Sequence, residues 1–434
     1  MKLHLVLKLR RPLDASGAVP YWVDFINDKS VIRTSVDADI DRLMAEAGLR
    51  FWLTREYELV GAGSGAAERE HGLDRTYRLI VQQDLPVPPG LVSALAALPQ
   101  VEQVRALEVG EAPLPKPQRE LSGMQSVGAA GPGALIHLPL ARLSSRGDPG
   151  VKIAVLDTGV DLDHPELQGR IADRADFVNI EGLDTTGFVG DFTGYDQVPD
   201  DEVGHGSHVA GIIAGRGLQM DEGVAPECRL MAVRVLATMK DGDHYVGAGV
   251  VGNINVGIKW AVDHGADVIN MSLGIRHTGG GLPHEDVIRY ALAHGVTVVA
   301  ASGNDGTAER YYPGALAGVL AVGAADDQGG VAGFTSFGAP IAVTAPGLRI
   351  YSSFARHGYA HASGTSQAAP FVAGLVGLLK SLARSRGARL ANDTIQQILQ
   401  HTSERADDRA RSQRAGFGLI NAADALRLLS HQLA

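Results

Sequence analysis

The stretch VKIAVLDTGVD, residues 151–161, begins a part of the chain in which short apolar runs alternate with helical stretches. Its first run is apolar apart from Lys152 and ends in Asp157, ahead of a glycine turn. The same alternation continues to residue 324 with the runs RLMAVRVL, ADVINMSLG, VTVVAASGN and VLAVGA. Strands that are apolar throughout and separated by helices indicate a parallel sheet covered on both faces. The sequence therefore predicts an α/β fold with a doubly wound parallel sheet.

The N-terminal part of the chain follows a different pattern. Strand, helix, strand, strand, helix and strand are predicted at residues 2–10, 36–47, 50–59, 76–83, 88–98 and 101–108. That order is typical of a small α+β domain of the split βαβ kind. A segment rich in Pro, Gly and Ala follows, with the composition of a linker. We expect an N-terminal domain at 1–110, a linker at 111–134 and a larger domain at 135–434.

Composition and charge exclude several classes of protein. A length of 434 residues favours two domains. The net charge of −10, without a dense basic block, argues against a nucleic-acid partner. A single cysteine, Cys228, excludes an internal disulfide and fits a reducing compartment. No apolar run approaches a membrane span, and His4 and Lys8 interrupt the N-terminal apolar pattern, so we expect a cytoplasmic protein without a membrane partner.

Residues with reactive side chains occur where a doubly wound sheet places functional groups, at strand ends and helix starts. Asp157 ends the first strand of the larger domain, and His205 precedes the helix in GHGSHVAGIIAG. Ser366 lies in SGTSQAAPFVAG, residues 363–374. Because proline is tolerated in the first turn of a helix, Pro370 indicates an apolar helix that begins near Ser366. A serine at a helix start is commonly a cap, and it is also well placed to be a nucleophile.

These side chains have complementary chemistry. A serine hydroxyl becomes nucleophilic when a neighbouring imidazole accepts its proton. A carboxylate on the other imidazole nitrogen orients the ring and stabilises its cation. The negative intermediate then needs hydrogen-bond donors, for which the backbone N–H of Ser366 and the side-chain amide of Asn304 are candidates. The set predicts nucleophilic attack by Ser366 on a carbonyl group.

Two other kinds of site share part of this pattern. Asp157 lies in a DTG motif, which also occurs in aspartic peptidases, but those enzymes need two copies and the motif occurs once here. His205 and His208 have the spacing of metal ligands on a helix. The chain has no HExxH motif and no cysteine cluster, so no metal site is predicted. His208 is interpreted as a structural residue.

The order Asp, His, Ser, within DTG, HGSHVAG and GTSxAxP, resembles the subtilisin family of serine peptidases. The resemblance covers residues 150–427 and ends in GFGLINAADAL. It implies that Asp157, His205 and Ser366 are a catalytic triad and that Asn304 is an oxyanion donor. It further implies a serine endopeptidase that hydrolyses peptide bonds through an acyl-enzyme and needs no cofactor for catalysis.

The resemblance also implies a cleft for extended polypeptide substrates, held between two strands. The residues implied to flank the substrate backbone are Gly247, Gly249, Ser272, Leu273 and Gly274. Those implied to line the S1 pocket are Ala301, Ser302 and Gly303, with Tyr311 near the floor and Asp305 near the rim. Such small, largely apolar walls predict Leu, Met, Phe or Tyr at P1. A basic P1 residue is the alternative if Asp305 points inward.

The sequence departs from the family in its calcium ligands. The segment GRGLQMDEGVAP lacks the asparagine-containing pattern of the calcium loop found in many relatives. The acidic pairs Asp161/Asp163 and Asp241/Asp243 are more typical of solvated loops. The sequence therefore neither supports nor excludes a structural calcium ion.

The N-terminal domain resembles the folding propeptides of the family in the order of its elements, without a shared motif. We expect it to be either a cleaved intramolecular inhibitor or a permanent regulator. Three functions remain: an endopeptidase, a maturation enzyme that cleaves one precursor peptide or transfers its acyl group to an amine, and a non-catalytic binding module. The intact triad and Asn304 argue against the last, and the sequence does not separate the first two.

Overall fold

The structure, a computed structural model, describes residues 3–13, 19–28, 30–60, 65–83, 85–106, 109–113, 131–178, 188–189, 198–241, 244–276, 282–338, 340–405 and 411–434. These residues form an N-terminal domain around an antiparallel sheet, a larger domain around a parallel sheet, and a strand between the two. The fold class predicted from the sequence is confirmed.

The N-terminal domain consists of β1 (His4–Leu9), α1 (Trp22–Asn27), α2 (Ala38–Glu46), β2 (Phe51–Arg55), α3 (Ala66–His71), β3 (Thr76–Val81), α4 (Leu91–Ala96) and β4 (Val101–Ala106). Its strands form an antiparallel sheet in the order β2-β3-β1-β4. Leu5 and Leu7 of β1 are fully buried in one core with Ile40 of α2 and Leu95 of α4. Because side chains alternate along a strand, the apolar alternation in β1 gives the sheet one face for these helices.

A strand and the larger domain follow. The strand is β5 (Val109–Pro113). The helices of the larger domain are α5 (Pro132–Leu135), α6 (Leu138–Ala141), α7 (His205–Ala214), α8 (Val251–Asp263), α9 (Glu285–Ala293), α10 (Thr365–Ser385), α11 (Asn392–Thr402) and α12 (Ala422–Gln432). Its strands are β6 (Lys152–Asp157), β7 (Ile171–Asp176), β8 (Phe188–Val189), β9 (Arg229–Arg234), β10 (Ala237–Asp241), β11 (His244–Val250), β12 (Val268–Met271), β13 (Ile275–Arg276), β14 (Thr297–Ala301), β15 (Tyr311–Tyr312), β16 (Leu320–Ala325), β17 (Ile341–Pro346), β18 (Ile350–Phe354) and β19 (Gly358–Ala362).

Seven of these strands form one parallel sheet in the order β17-β16-β14-β12-β6-β9-β7. Ile153 and Val155 of β6 are buried on one face, in a core shared with α7, α10, α11 and α12. Ala154 and Leu156 are buried on the other face, in a core shared with α8 and α9. Burial on both faces is the reason that the strand is apolar throughout.

The longest helix, α10, lies against α7 and the strands β12, β14 and β16. In the described part of the chain, it is the one helix that meets the length and apolarity of a membrane span. The helix is buried inside the larger domain over that whole span. Its apolar composition is therefore explained by packing in the core.

The N-terminal domain packs on the face formed by α8 and α9. Tyr57 and Leu73 belong to the core on that face. Lys259 of α8 places its Nζ 2.7 Å from Oε1 of Glu68, and both side chains are buried. Because buried charges require partners, this contact favours one orientation of the N-terminal domain on the two helices.

Strand β5 follows the N-terminal domain along the chain and pairs antiparallel with β11 of the larger domain. Gly110 lies opposite Gly249, and Ala112 lies opposite Gly247. The predicted boundary between residues 110 and 111 falls inside this strand. The rest of the predicted linker up to residue 130 lies outside the described residues.

Candidate active site

The predicted functional residues gather at one edge of the parallel sheet. Asp157 is the last residue of β6, Ser272 follows β12, and Asn304 lies three residues after β14. These three strands are neighbours, and being parallel they end at the same edge. His205 and Ser366 lie at the N-terminal ends of α7 and α10, which pack against each other.

The imidazole of His205 is held by Asp157. Nδ1 of His205 lies 2.6 Å from Oδ1 of Asp157, and both side chains are buried. The same carboxylate oxygen accepts the backbone N–H of Thr158 at 2.7 Å. The second nitrogen of His205, Nε2, is buried and has no hydrogen-bond partner among the described residues. With Nδ1 bound to the carboxylate, Nε2 is the nitrogen that can accept a proton.

Glycine allows the two motifs to approach this closely. Gly159 of the DTG motif has a φ of +107°, in the left-handed region that favours glycine. A Cβ atom on Gly206 would lie 2.0 Å from the carbonyl oxygen of Gly159. The backbones of the DTG and HGSH motifs are therefore in direct contact, which brings Asp157 within hydrogen-bond distance of His205.

A second buried carboxylate, Asp201, supports His205 and was missed in the sequence analysis. Its Oδ2 accepts the N–H and the hydroxyl of Ser207 at 2.8 and 2.7 Å. Its Oδ1 accepts the N–H of Gly204 at 2.8 Å and the hydroxyl of Thr158 at 3.0 Å. Asp201 therefore links Gly204 and Ser207, on either side of His205, to Thr158, which follows Asp157. The available signal was an acidic residue four positions before the histidine, which is common in solvated loops.

The charges of Asp157 and Asp201 act on the titration of His205. Burial alone would lower the pKa of His205, but the charge of Asp157, its hydrogen bond and the charge of Asp201 together raise it above the ordinary value. His205 accepts a proton only in its neutral form. Activity is therefore expected to rise with pH, with a midpoint of kcat/KM above the ordinary histidine value of about 6.5.

Asp201→Asn is expected to move the midpoint of the acidic limb of kcat/KM to lower pH. The substitution removes one of the negative charges that raise the pKa of His205, so the imidazole becomes neutral at a lower pH. The melting temperature should also fall, because loss of a hydrogen bond to a buried charge costs about 1.5–3 kcal/mol. The measurement is a pH–rate profile together with a melting curve. Glu202→Gln, at an exposed neighbour, is the matched control and should leave the midpoint in place; an unchanged midpoint in Asp201→Asn would contradict the role.

Ser366 is the second residue of α10, which begins at Thr365. The start predicted near Ser366 is correct to within one residue, but the prediction that Pro370 lies in the first turn is wrong. Proline has no N–H, so the carbonyl of Ser366 lacks its usual partner four residues later. The hydroxyl of Ser272 donates to that carbonyl at 2.8 Å, and the hydroxyl of Ser366 donates to the carbonyl of Ser272 at 3.1 Å. Pro370 thus frees a carbonyl that joins the helix start to the end of β12.

The side chain of Asn304 is oriented by Thr365. Its Oδ1 accepts the backbone N–H of Thr365 at 2.8 Å and the hydroxyl at 3.0 Å. Its Nδ2 makes no hydrogen bond within the described ranges. The N–H of Ser366 is also unused by the helix, because the first N–H groups of a helix have no internal acceptor. Two donors are therefore available at the start of α10.

A strand of this chain already occupies the space between the residues that were predicted to flank a substrate. Gly247 and Gly249 lie in β11, whose edge pairs with β5. Strand β5 also lies against β13, which directly follows Ser272, Leu273 and Gly274. An extended segment of the protein therefore runs between the two strands that were predicted to hold a substrate backbone.

The residues predicted for the S1 pocket lie close to one another, at the end of β14, in the loop that follows it and in β15. Ala301 ends β14, and the N–H of Gly303 is 3.2 Å from the hydroxyl of Thr365. Ser302 donates its hydroxyl to the carbonyl of Ser336 at 3.2 Å. Tyr311 lies in β15, which pairs with β13. Both predicted walls and the predicted floor are thus in one place, next to the start of α10.

His208 and the acidic residue Asp161 make their hydrogen bonds elsewhere in the larger domain. Nε2 of His208 lies 3.0 Å from the carbonyl of Ile350, and burial together with the charge of His205 lowers the pKa of His208 to about 3. Asp161 accepts the N–H of His357 at 2.7 Å, and Asp243 lies outside the described residues. Within the described ranges, no group of three or more His, Cys, Asp or Glu side chains could hold a metal ion.

Comparisons with known proteins identify the family to which the chain belongs. The profile of the Subtilase family (Peptidase S8) matches residues 148–418. The chain is 38% identical to the thermophilic serine proteinase of Bacillus sp. (strain AK1) over 264 residues, 60% of this chain and 58% of that protein. It is 37% identical to thermitase of Thermoactinomyces vulgaris over 54% of this chain and 77% of that protein. It is 36% identical to subtilisin Savinase of Lederbergia lenta over 67% of this chain and 96% of that protein.

A solved structure shows the same similarity. The prenylagaramide maturation protease PagA superimposes with a TM-score of 0.55 at 31% identity, over 67% of this chain and 98% of that one. The family profile covers more than half of the chain, including the residues from Asp157 to Ser366. The chain therefore belongs to the subtilase family of subtilisin-like serine-type endopeptidases.

Proposed function

We propose that the protein is a serine endopeptidase that cleaves peptide bonds through an acyl-enzyme on Ser366. Oγ of Ser366 attacks the carbonyl carbon, and Nε2 of His205 takes the hydroxyl proton. Asp157 keeps the imidazole oriented and stabilises its cation. His205 then donates the proton to the leaving amine, and water releases the acyl group. The observation that carries the proposal is the buried 2.6 Å pair of Asp157 and His205, with Nε2 unpaired among the described residues.

Two donors support the negative intermediate in this proposal. The N–H of Ser366 and Nδ2 of Asn304 donate to the oxygen that becomes negative after attack. Asn304 does not have to reorganise for this, because Thr365 already fixes its Oδ1. The substrate lies as an extended strand against β11, as β5 does in the structure.

A fluorophosphonate probe tests the assignment of the nucleophile. The probe should label Ser366 alone, and the labelled protein should no longer hydrolyse casein. Labelling should slow as the pH falls, because protonated His205 does not accept the proton of the hydroxyl. Labelling of another serine in the folded protein would contradict the proposal.

The N-terminal domain acts as an intramolecular inhibitor in this proposal. It is bound through α8 and α9, and β5 fills the edge of β11 that a substrate strand would use. A substrate and β5 therefore exclude each other. Removal or displacement of β5 is required before a polypeptide enters the cleft.

The wild-type chain is expected to cut itself between about residues 108 and 135, because this segment contains β5, which occupies the edge of β11 that a substrate strand would use. The predicted positions are after Leu114, Leu121 or Met124, which lie outside the described residues. Ser366→Ala should stay whole under the same conditions. Intact-mass measurement of both proteins after incubation checks this. Full-length masses for both would show that the N-terminal domain is a permanently attached regulator.

A second candidate function is maturation of one precursor peptide, by hydrolysis or by transfer of the acyl group to an amine. It is favoured by the similarity to PagA, which is described as a maturation protease. Incubation with casein and with candidate precursor peptides, with and without an added amine, distinguishes the two functions. Cleavage confined to one precursor, or an amide product, would favour maturation.

A cytoplasmic location stays a prediction, which cell fractionation tests.

A further inference from the structure

The ring of Tyr311 occupies the space between the two walls of the S1 pocket. A Cβ atom on Gly303 would lie 2.5 Å from Cδ2 of Tyr311. A Cβ atom on Gly274 would lie 2.9 Å from Cβ of Tyr311 and 3.4 Å from its Cδ1. One edge of the ring therefore meets one wall and the opposite edge meets the other. Tyr311 therefore lies between Gly274 and Gly303, in close contact with both walls.

The position of Tyr311 is fixed at both ends of its side chain. Its backbone lies opposite Arg276 in the pairing of β15 with β13. Its hydroxyl donates to Asp305 and accepts from Nε of Arg276 at 3.0 Å. Arg276 also places Nη2 2.5 Å from Asp305 and Nε 2.7 Å from Glu309. The backbone pairing of β15 and the two hydrogen bonds of the hydroxyl therefore orient the ring between the two walls.

This space is where the P1 side chain of a substrate must go. In an acyl-enzyme, the carbonyl oxygen points to Nδ2 of Asn304 and the N–H of Ser366. The side chain next to that carbonyl must then leave between the strand ends that adjoin these residues, 272–274 and 301–303. Tyr311 stands in that path. A phenyl or leucyl side chain would meet the tyrosine ring, whereas the side chains of Gly, Ala and Ser are short enough to stop above it.

We propose that Tyr311 closes the S1 pocket and restricts cleavage to bonds that follow residues with small side chains, namely Gly, Ala or Ser. The inference rests on the proposed endopeptidase function and replaces the apolar, large P1 residue expected from the sequence. It also replaces the cuts expected after Leu114, Leu121 or Met124, since self-cleavage in the same segment should then follow a Gly, Ala or Ser residue. The alternative of a basic P1 residue also loses its basis. The carboxylate of Asp305 is already paired with Arg276 and bound to the hydroxyl of Tyr311.

The test is a series of tetrapeptide p-nitroanilides that differ only at P1, with Ala, Leu, Phe or Lys. Rates are expressed per active site, titrated with the fluorophosphonate probe. The wild type is expected to favour Ala over Phe at least about 10-fold in kcat/KM, the size of discrimination that pocket shape commonly gives. Tyr311→Gly should raise kcat/KM for the Phe substrate at least about 10-fold. Tyr311→Phe keeps the ring without the hydroxyl and should keep the preference for Ala.

The outcomes separate the inference from the function on which it rests. A protein that titrates fully but prefers Phe, Leu or Lys overturns the closed pocket, even if Tyr311→Gly fails to fold. A Tyr311→Gly enzyme that still rejects Phe overturns the role of Tyr311. A folded protein whose Ser366 does not titrate and that cleaves no peptide contradicts the proposed function, and the inference falls with it.

Discussion

Ser366→Ala is expected to lower kcat by about 10⁶-fold while the protein still folds. This magnitude is the one known for loss of the nucleophile in subtilisin, a member of the same family. The reason is chemical, because alanine has no oxygen to form the acyl-enzyme, and the remaining donors catalyse only weakly. The hydroxyl of Ser366 makes one backbone contact, to the carbonyl of Ser272, so its loss changes the fold little. The measurement is the hydrolysis rate of casein and of a P1-Ala p-nitroanilide, with a melting curve as the check on folding.

Ser363→Ala is the matched control for this experiment. Ser363 lies three residues before Ser366, outside α10, and its hydroxyl accepts the N–H of Arg349 at 2.8 Å. That variant should keep its activity and its labelling by fluorophosphonate. An active Ser366→Ala protein, after exclusion of contaminating peptidase, would remove Ser366 from the mechanism.

Asn304→Ala is expected to lower kcat by about 10²–10³-fold with little change in KM, the magnitude known for the side-chain oxyanion donor of subtilisin. The amide contacts charge that exists mainly after attack, so its loss affects the transition state more than the bound substrate. Steady-state kinetics on one p-nitroanilide measure the two constants separately.

Asn304→Asp distinguishes the donor from the structural role of the same side chain. The carboxylate retains an oxygen for both hydrogen bonds from Thr365, whereas it places an oxygen where the Nδ2 donor was. We therefore expect a kcat as low as that of Asn304→Ala, with the fold preserved. A kcat near the wild type in Asn304→Asp, or a loss confined to KM in Asn304→Ala, would contradict the oxyanion role.

The parallel sheet could be predicted because burial on both faces requires runs such as IAVL in β6, whose composition is visible in the sequence. The meeting of Asp157 with His205 followed from the rule that functional groups lie at strand ends. Asp201 could not be distinguished from a solvated loop residue, because its burial depends on the packing of the loop against Thr158 and Ser207.

Two other features depend on contacts that the sequence does not display. Helices α1 and α3 have six residues each and were not predicted, since helices of that length are stabilised by tertiary packing rather than by their own pattern. Strand β5 lies at the start of a segment with linker composition and is extended because β11 offers it a free edge. The closure of S1 likewise depends on the direction of the Tyr311 ring, which composition does not determine.

The pairing of β5 with β11 has a consequence for the kinetics of activation. A strand tethered to the same chain is present at its site at an effective concentration on the order of millimolar. Micromolar peptide therefore competes poorly, and dilution does not relieve the block. The first step of activation is then unimolecular. The early part of the lag before activity appears should therefore not depend on the protein concentration. Once some clefts are open, cleavage between molecules adds a concentration-dependent phase, and the two can be separated by dilution series.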